Sequence, residues 1–435
     1  MPTSAGFVDP FDPVFISYRQ FDGTHITSEL AWMLRSAGVP VWRDRDDLPP
    51  GDTDQRLAQA IEEGISAAVL VVTRDLANSR IVKEIEAPRI LSLHTVNPAF
   101  ALGIVNDVER EPGTIDYSAP DRVLGMNSPI LLGVDQQGSA RSGLRESVRR
   151  MVFHRIAQFR PIVQADAGTF RISLQTRNTP QVYDRTDSQL DIRVRPSTHE
   201  RLPSTVGLED LKDTIALLPD SVTRADARRV VITGGAHASV AFAIGAALPS
   251  SRVGEVTVFD QQQRTWQSGE QATFGADEEI WVTRGGRGVT RPPGRPAVAI
   301  YLDLLDGSSD AAFDRFLEER ADEFVEWKHL TRSKDGLIDP EIAGEIASEA
   351  AAHIRKISTD NDNAEVHLLL RTPFPMAVLI GRLTNTLRLD LYEWDDSDPI
   401  GGVDWRPRYV PALRLRTSAT DGVIREVLLP RETTA

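Results

Sequence analysis

The 435-residue chain contains no cysteine. Disulfides, thiolate metal sites and cysteine nucleophiles are therefore excluded, and the composition suits a reducing cytoplasm. None of its five lysines follows a glycine, so there is no Gly-x-x-x-x-Gly-Lys phosphate loop. A Gly-x-Ser-x-Gly nucleophile elbow is also missing. The eight histidines are scattered without metal-ligand spacing, so no metal is expected. Residues 1–10 show neither a basic region nor an apolar run, and no signal peptide is expected. The longest apolar stretch, Val230 to Leu248, carries Thr233, Gly234, Gly235, His237 and Ser239 near its start. That interruption reads as strand, turn and buried helix rather than a membrane span. A net charge of −14 argues against a long nucleic acid as partner, because phosphate binding needs a basic face. It leaves room for a small nucleotide in a local basic pocket. The expectation is a soluble, cytoplasmic protein with enough chain for two or three domains.

What is present is alternation. Val14-Phe-Ile-Ser-Tyr18 reads as a short strand, followed by a helix with Ile26, Leu30, Met33, Leu34 and Ala37 on one face, closed by Gly38. Val39-Pro-Val-Trp42 is a second strand. A polar loop from Arg43 to Gly51 then leads to a helix with Leu57, Ala60, Ile61 and Ile65. Ala67-Ala-Val-Leu-Val-Val-Thr73 is apolar throughout, as a buried parallel strand requires. This βαβαβ order points to an open, doubly wound α/β sheet, whose ligands sit beyond the carboxyl ends of the strands. Ser17 to Asp22, Trp42 to Gly51 and Thr73 to Glu84 thus become the segments of interest. Strands are also expected at Pro98 to Val105 and Pro129 to Val134, and a closing helix at Leu144 to Phe159. Between 169 and 195 the alternation changes to two strands, read as antiparallel around a polar turn, which marks a domain boundary.

The second half contains an internal repeat. Val230-Val-Ile-Thr-Gly-Gly, a helix from Ala238 to Leu248 and the strand Glu255 to Phe259 form one strand–turn–helix–strand unit. Val366 to Pro375, a helix from Met376 to Leu383 and the strand Leu387 to Tyr392 form the other. Aligning Gly245 with Gly381 also superposes Ala241 on Ala377 and Ile244 on Ile380. Two such units suggest paired Rossmann-like subdomains. Residues 268–296, rich in Gly, Pro and Arg, read as an irregular loop or hairpin.

Val14-Phe-Ile-Ser-Tyr-Arg19, Val41-Trp-Arg-Asp, Leu48-Pro-Pro-Gly51 and Asn78-Ser-Arg-Ile-Val-Lys-Glu84 together resemble the TIR family over roughly residues 10–95. Arg80 and Ile81 stand where that family's glutamate segment has an aromatic residue and a cysteine. In NAD-cleaving TIR domains this glutamate is essential, so the resemblance makes Glu84 the catalytic candidate. It also implies Tyr18, Arg19, Trp42, Arg43, Asp47 and Ser79 as candidate NAD contacts. The chemistry is compatible. Breaking the bond between nicotinamide and ribose passes through an oxocarbenium-like centre that one fixed carboxylate can stabilise. Nicotinamide leaves as a neutral molecule, so no general acid is required. Glu84 lies early in a helix, where the dipole favours its ionised form. Pro88 cannot donate to the Glu84 carbonyl, which makes the helix locally irregular. A solvated helical glutamate and a core tryptophan are the structural alternatives for Glu84 and Trp42.

Ile232-Thr-Gly-Gly, Thr372-Pro-Phe-Pro-Met-Ala, Leu379-Ile-Gly-Arg382 and Leu391-Tyr-Glu-Trp-Asp395 resemble a SAVED domain over roughly residues 200–430. That family joins two CARF-like units and senses cyclic oligonucleotides in bacterial antiphage defence. The combined resemblance is to TIR–SAVED fusion effectors of cyclic-oligonucleotide antiphage signalling (CBASS). It implies a flavodoxin-like TIR domain at 1–165 and a SAVED domain of two fused CARF/Rossmann-like subdomains at 166–435. Gly234, Gly235 and Thr372 are candidates to present amides or a hydroxyl to ligand phosphates, and Trp394 to stack on adenine. His237 reads as a capping or packing residue. The implied activator is a cyclic oligonucleotide, with cyclic tri-adenylate as the family-level guess. Binding is expected to drive self-assembly into oligomers or filaments through SAVED and TIR contacts, and to switch on NAD cleavage. NAD is then the substrate, with no resident cofactor and no membrane partner. Whether ADP-ribose or a cyclic isomer forms depends on water access to the intermediate. Two rival readings are a non-catalytic TIR assembly module gated by nucleotide and a nucleotide-metabolising enzyme in the second half.

Overall fold

The structure, a computed structural model, describes residues 8–42, 64–177, 187–199, 201–268, 279–288, 295–307, 309–397, 406–419 and 421–430. These fall into two compact units, one built mainly up to Ser173 and the other mainly from Ala227 onward, with short exchanges between.

In the first unit, Val14–Ser17 (β1), Thr24–Ser36 (α1), Val41–Trp42 (β2) and Ala67–Val72 (β3) are followed by Ala87–Val96 (α2) and Ala101–Asn106 (β4). Asp135–Gly138 (β5) and Arg141–Ala165 (α3) complete it. The sheet order is β2-β1-β3-β4-β5 with every neighbouring pair parallel, the flavodoxin-like arrangement. Burial explains the sequence of β3: all six residues are enclosed, so no alternation with polar residues is tolerated. In α3, Leu144, Val148, Met151, Val152, Ile156, Phe159 and Val163 lie on the buried side at helical spacing. The region expected as the strand Pro129–Val134 is different. The Asp121 carboxylate accepts the amides of Leu131 and Leu132 at 2.9 and 3.0 Å. Those donors are lost to any ladder, so Leu131–Gly133 winds into a 3-10 turn and the strand begins at Asp135.

Thr169–Gln175 (β6) crosses the division between units, and Leu190–Arg193 (β7) follows. The Gln189 amide donates to the Arg171 carbonyl within the first unit, and Val194 donates to Gln175 within the second. These bonds advance in the same direction along both strands, so the pair is parallel, not the antiparallel pair its alternation suggests. Alternation reports two faces and carries no information on direction.

The second unit contains Arg229–Gly235 (β8), Ala238–Ala247 (α4), Glu255–Phe259 (β9) and Thr265–Gln267 (β10). Ile280–Arg287 (β11), Ala297–Asp303 (β12), Ala311–Arg320 (α5), Glu326–Arg332 (β13) and Ala343–Asp360 (α6) come next. Glu365–Arg371 (β14), Phe374–Arg382 (α7), Arg388–Asp395 (β15), Arg408–Arg416 (β16) and Ile424–Val427 (β17) follow. A seven-stranded sheet runs β11-β13-β12-β14-β15-β16-β17, parallel at its centre and antiparallel at both margins. Part of the glycine-rich stretch expected as an irregular loop or hairpin is an edge strand, β11, paired antiparallel with β13. No helix among the described residues is long and apolar enough to cross a membrane.

The repeat appears as two matching elements. β8–α4–β9 and β14–α7–β15 are both parallel strand pairs bridged by a helix. The residues preceding the helices, His237 and Pro373, have φ/ψ of −59°/148° and −58°/149°. The two helices pack against each other through glycines. A Cβ built on Gly245 would lie 2.0 Å from the Val378 carbonyl oxygen, and one on Gly381 would lie 2.2 Å from that of Phe242. Each glycine meets the residue three before its counterpart, so the contact is reciprocal. Arg382, next to Gly381, is buried and donates to the carbonyls of Leu248, Val253 and Gly254 at 3.1, 2.6 and 2.6 Å. It thereby satisfies acceptors at and beyond the end of α4 that the helix cannot.

Gly381→Ala should force the helices apart, at a cost of more than about 2 kcal/mol. A melting temperature unchanged in thermal denaturation of the variant would show that the helices do not pack at this distance.

Candidate functional site

In the first unit, the carboxyl ends of the parallel strands bring several candidates to one edge. Tyr18 directly follows β1 and is buried. Arg19 pairs with Asp75 at 3.1 Å and lies over the exposed Phe21 ring at 5.0 Å. Trp42 ends β2, is 6 % exposed and packs on Phe15 at 4.9 Å, which makes it part of the core. Arg43 and Asp47 lie outside the described residues. Ser79 accepts a hydrogen bond from the Val82 amide at 3.4 Å, so it helps to start the turn that carries Glu84.

That turn is π-helical, Val82–Glu86, and it abuts Pro88. A missing proline amide leaves the Glu84 carbonyl without its helical donor, and a widened turn is one way to accommodate this. The turn presents two carboxylates in opposite senses. Glu84 points to solvent, its side chain 63 % exposed, with Arg80 Nε 2.8 Å away. Glu86 is 4 % exposed and accepts a hydrogen bond from Ser17, the last residue of β1. β1 lies beside β3 at the centre of the sheet, where the strand order reverses. Glu86 and Ser17 escape a sequence reading because no spacing links them; only Glu86's nearness to Glu84 hints at it.

The second unit contains an open cavity of about 480 Å³. Its walls come from both halves of the repeat: Ala236, His237 and Ala238 at the start of α4, and Arg371, Thr372 and Phe374 at the start of α7. Glu393 and Trp394 of β15, Arg177, Arg201 and Tyr409 add to them. The two helix starts are not equivalent. Glu393, fully enclosed, accepts the Ser239 amide at 2.7 Å and so occupies the N-terminus of α4. Burial pushes its carboxyl above the usual range, against the opposing pull of the Ser239 and Ala238 amides. At α7, by contrast, the Thr372 hydroxyl is buried without a hydrogen-bond partner. Arg371 beside it is held by Asp303 at 2.7 Å and by the Gly307 carbonyl at 2.7 Å. Arg177 is exposed and has no ion pair among the described residues, while Arg201 pairs with Asp396 at 2.9 Å.

Of the candidates in this half, Thr372 and Trp394 face the cavity, the latter half-buried. Gly234 and Gly235 stop short of it, the lining beginning at Ala236. Gly234 has φ of 107°, and a Cβ there would lie 2.2 Å from the Leu174 carbonyl. Its glycine is thus required by the backbone. His237 sits at the N-cap of α4 but makes no side-chain cap bond. Its amide donates to Thr176 Oγ1, and its Nδ1 lies 2.8 Å from the same atom. The arginines have no sequence signal beyond charge, since separate segments of the chain supply them; Glu393 lies within the motif Leu391 to Asp395, which does not reveal its partner.

A family model described as "TIR domain" matches residues 14–101. A second, SAVED, described as "SMODS-associated and fused to various effectors sensor domain", matches residues 212–415. Among solved structures, the chain is similar to the Acinetobacter baumannii Cap4 SAVED/CARF-domain containing receptor with the cyclic trinucleotide 2'3'3'-cAAA. Identity is 12%, coverage 92% of this chain and 99% of that one, and the TM-score 0.44. The same receptor with 3'3'3'-cAAA matches at 13% identity, 90% and 96% coverage and TM-score 0.43. The Moraxella osloensis Cap4 receptor matches at 11% identity, 90% and 97% coverage and TM-score 0.38. No curated protein matches the chain.

Burial, and secondarily the Arg177 charge, lower the His237 pKa from 6.5 to about 4. The unfolded chain therefore binds more protons than the folded one between those values, and stability falls as pH drops from about 6.5 toward 4. The full effect is roughly 3 kcal/mol. Urea denaturation at pH 7 and pH 4.5 should show a steeper loss for the wild type than for His237→Gln. Equal losses would mean that His237 is not held neutral by its site.

Proposed function

With a TIR domain joined to a SAVED sensor domain in one chain, we propose that the sensor's cavity binds a cyclic oligonucleotide and thereby switches the TIR domain to NAD cleavage. The observation that carries this reading is the cavity itself. In a chain of net charge −14, three arginines, an unpartnered threonine hydroxyl at a helix start and a half-buried tryptophan line one cavity. Cations and helix amides suit phosphates, and an indole face suits a base. A cyclic tri-adenylate is the ligand to try first.

For the TIR domain, Glu84 is the catalytic carboxylate in this reading. Its exposure supports a role for assembly. One carboxylate open to water stabilises a cationic centre weakly, because the solvent screens it. A neighbouring molecule that covers the turn would exclude water and complete the NAD site. Ligand binding therefore acts through oligomers or filaments, and the chain is an antiphage effector of the CBASS kind. Cleavage yields nicotinamide with ADP-ribose or a cyclic isomer. The same exposure, with the pairing to Arg80, favours the second reading, a TIR domain that assembles on nucleotide binding without chemistry.

Mass spectrometry of NAD incubated with the full chain and a panel of cyclic di- and trinucleotides separates the two. The first reading expects turnover only with a cyclic oligonucleotide. Nucleotide-dependent oligomers with intact NAD would establish the second. Glu84→Gln should lose turnover and retain nucleotide binding. Trp394→Ala should lose both, with binding weakened at least tenfold, as the loss of one base stack implies. Turnover retained in Glu84→Gln would return that residue to the solvated surface.

A further inference from the structure

Three side chains from three elements of the second unit converge on one small space next to the cavity. Asp303 ends β12, Asp310 immediately precedes α5, and His329 lies within β13. One nitrogen or carboxylate oxygen from each lies within 4.8 Å of the others, and His329 Nε2 is 4.0 Å from Asp310 Oδ1. β12 and β13 are parallel neighbours, with Tyr301 opposite His329 and Asp303 opposite Thr331. Asp303 and Tyr301, two residues apart, share a face of the sheet with His329, so register brings the donors together.

The hydrogen bonding of this cluster is incomplete. His329 is 4 % exposed, and neither ring nitrogen has a hydrogen-bond partner. Its ring is fixed by Tyr301 at 4.6 Å and Phe313 at 5.7 Å between centroids. Asp310 stands at the N-cap of α5 yet makes no side-chain capping bond, and its Oδ1 is likewise buried and unpartnered. Buried unsatisfied atoms are destabilising, and folded proteins rarely leave them clustered. Arg284 approaches Asp310 through Oδ2 at 3.5 Å, which leaves Oδ1 directed at His329. Burial lowers the His329 pKa, with the carboxylates of Asp310 and Asp303 opposing it.

We infer that Asp303, Asp310 and His329 bind a divalent transition-metal ion of the Zn²⁺ or Mn²⁺ type, with water completing its coordination. One imidazole nitrogen with two carboxylate oxygens is a borderline donor set, better suited to these ions than to Mg²⁺ or Ca²⁺, which prefer oxygen alone. Donors around such an ion stand about 3 Å apart, so the three side chains close inward by about 1 Å. The inference does not depend on which ligand fills the cavity. The ion would, however, share Asp303 with Arg371, which lines that cavity.

The test uses the full chain, stripped with chelator and titrated with Co²⁺ and Zn²⁺. Expected are a visible Co²⁺ absorption band at one equivalent, its displacement by Zn²⁺ and a higher melting temperature with Zn²⁺. His329→Gln and Asp310→Ala should each weaken binding at least tenfold and remove the band. Asp310 caps no helix bond, so Asp310→Ala should fold, as circular dichroism can verify. Asp360→Asn, at an exposed helix end, should leave the band unchanged. No band in the wild type, or a band that survives in both His329→Gln and Asp310→Ala, would overturn the assignment.

Discussion

Two helices that touch through bare backbone are the constraint on which the second unit rests. Gly245 and Gly381 let α4 and α7 approach until each meets the other's carbonyl oxygens. Any side chain at either position would separate them. That closeness brings the two helix starts near each other, and residues at both line the cavity. Arg382 reinforces the arrangement by bonding to carbonyls around the end of the partner helix. Burial lowers its pKa to about 10, which still leaves it charged at neutral pH. The motif Leu379-Ile-Gly-Arg382 therefore has a mechanical meaning: its glycine sets the approach and its arginine locks it.

The first unit is organised by a different constraint, the opposition of two carboxylates on one turn. Pro88 denies the helix a donor, the backbone widens, and Glu84 and Glu86 face in opposite senses. Glu86 turns inward to Ser17 at the end of the first strand. This bond ties the turn to the centre of the sheet and so holds Glu84 at the edge where ligands of such sheets collect.

Much of this architecture could be read from the sequence, for physical reasons. β3 is apolar along its whole length because both its faces are covered. The two glycines align because both halves of a repeat face the same packing problem. Other features resist such reading. Pairing direction leaves no trace in the alternation of β6 and β7. The apolar run before Asp135 becomes a turn because a distant carboxylate, Asp121, captures its amides. At the sites, Thr372 and Trp394 could be found because each lies within a motif. Glu393 lies in the same motif as Trp394, but nothing there shows that it faces the start of α4; Glu86 and the cluster of Asp303, Asp310 and His329 carry no motif at all. Their partners come from separate strands and helices, and only the completed fold makes them neighbours.

The capture of the α4 N-terminus by Glu393 has one more consequence. The unit repeats a strand–helix–strand element, yet the two helix starts that line the cavity differ chemically. Its α4 side is already satisfied by an internal carboxylate, and its α7 side offers an unpartnered hydroxyl beside an arginine. A guest with rotational symmetry therefore cannot be met symmetrically. Chemically identical units of a cyclic guest would meet different surroundings at the two helix starts.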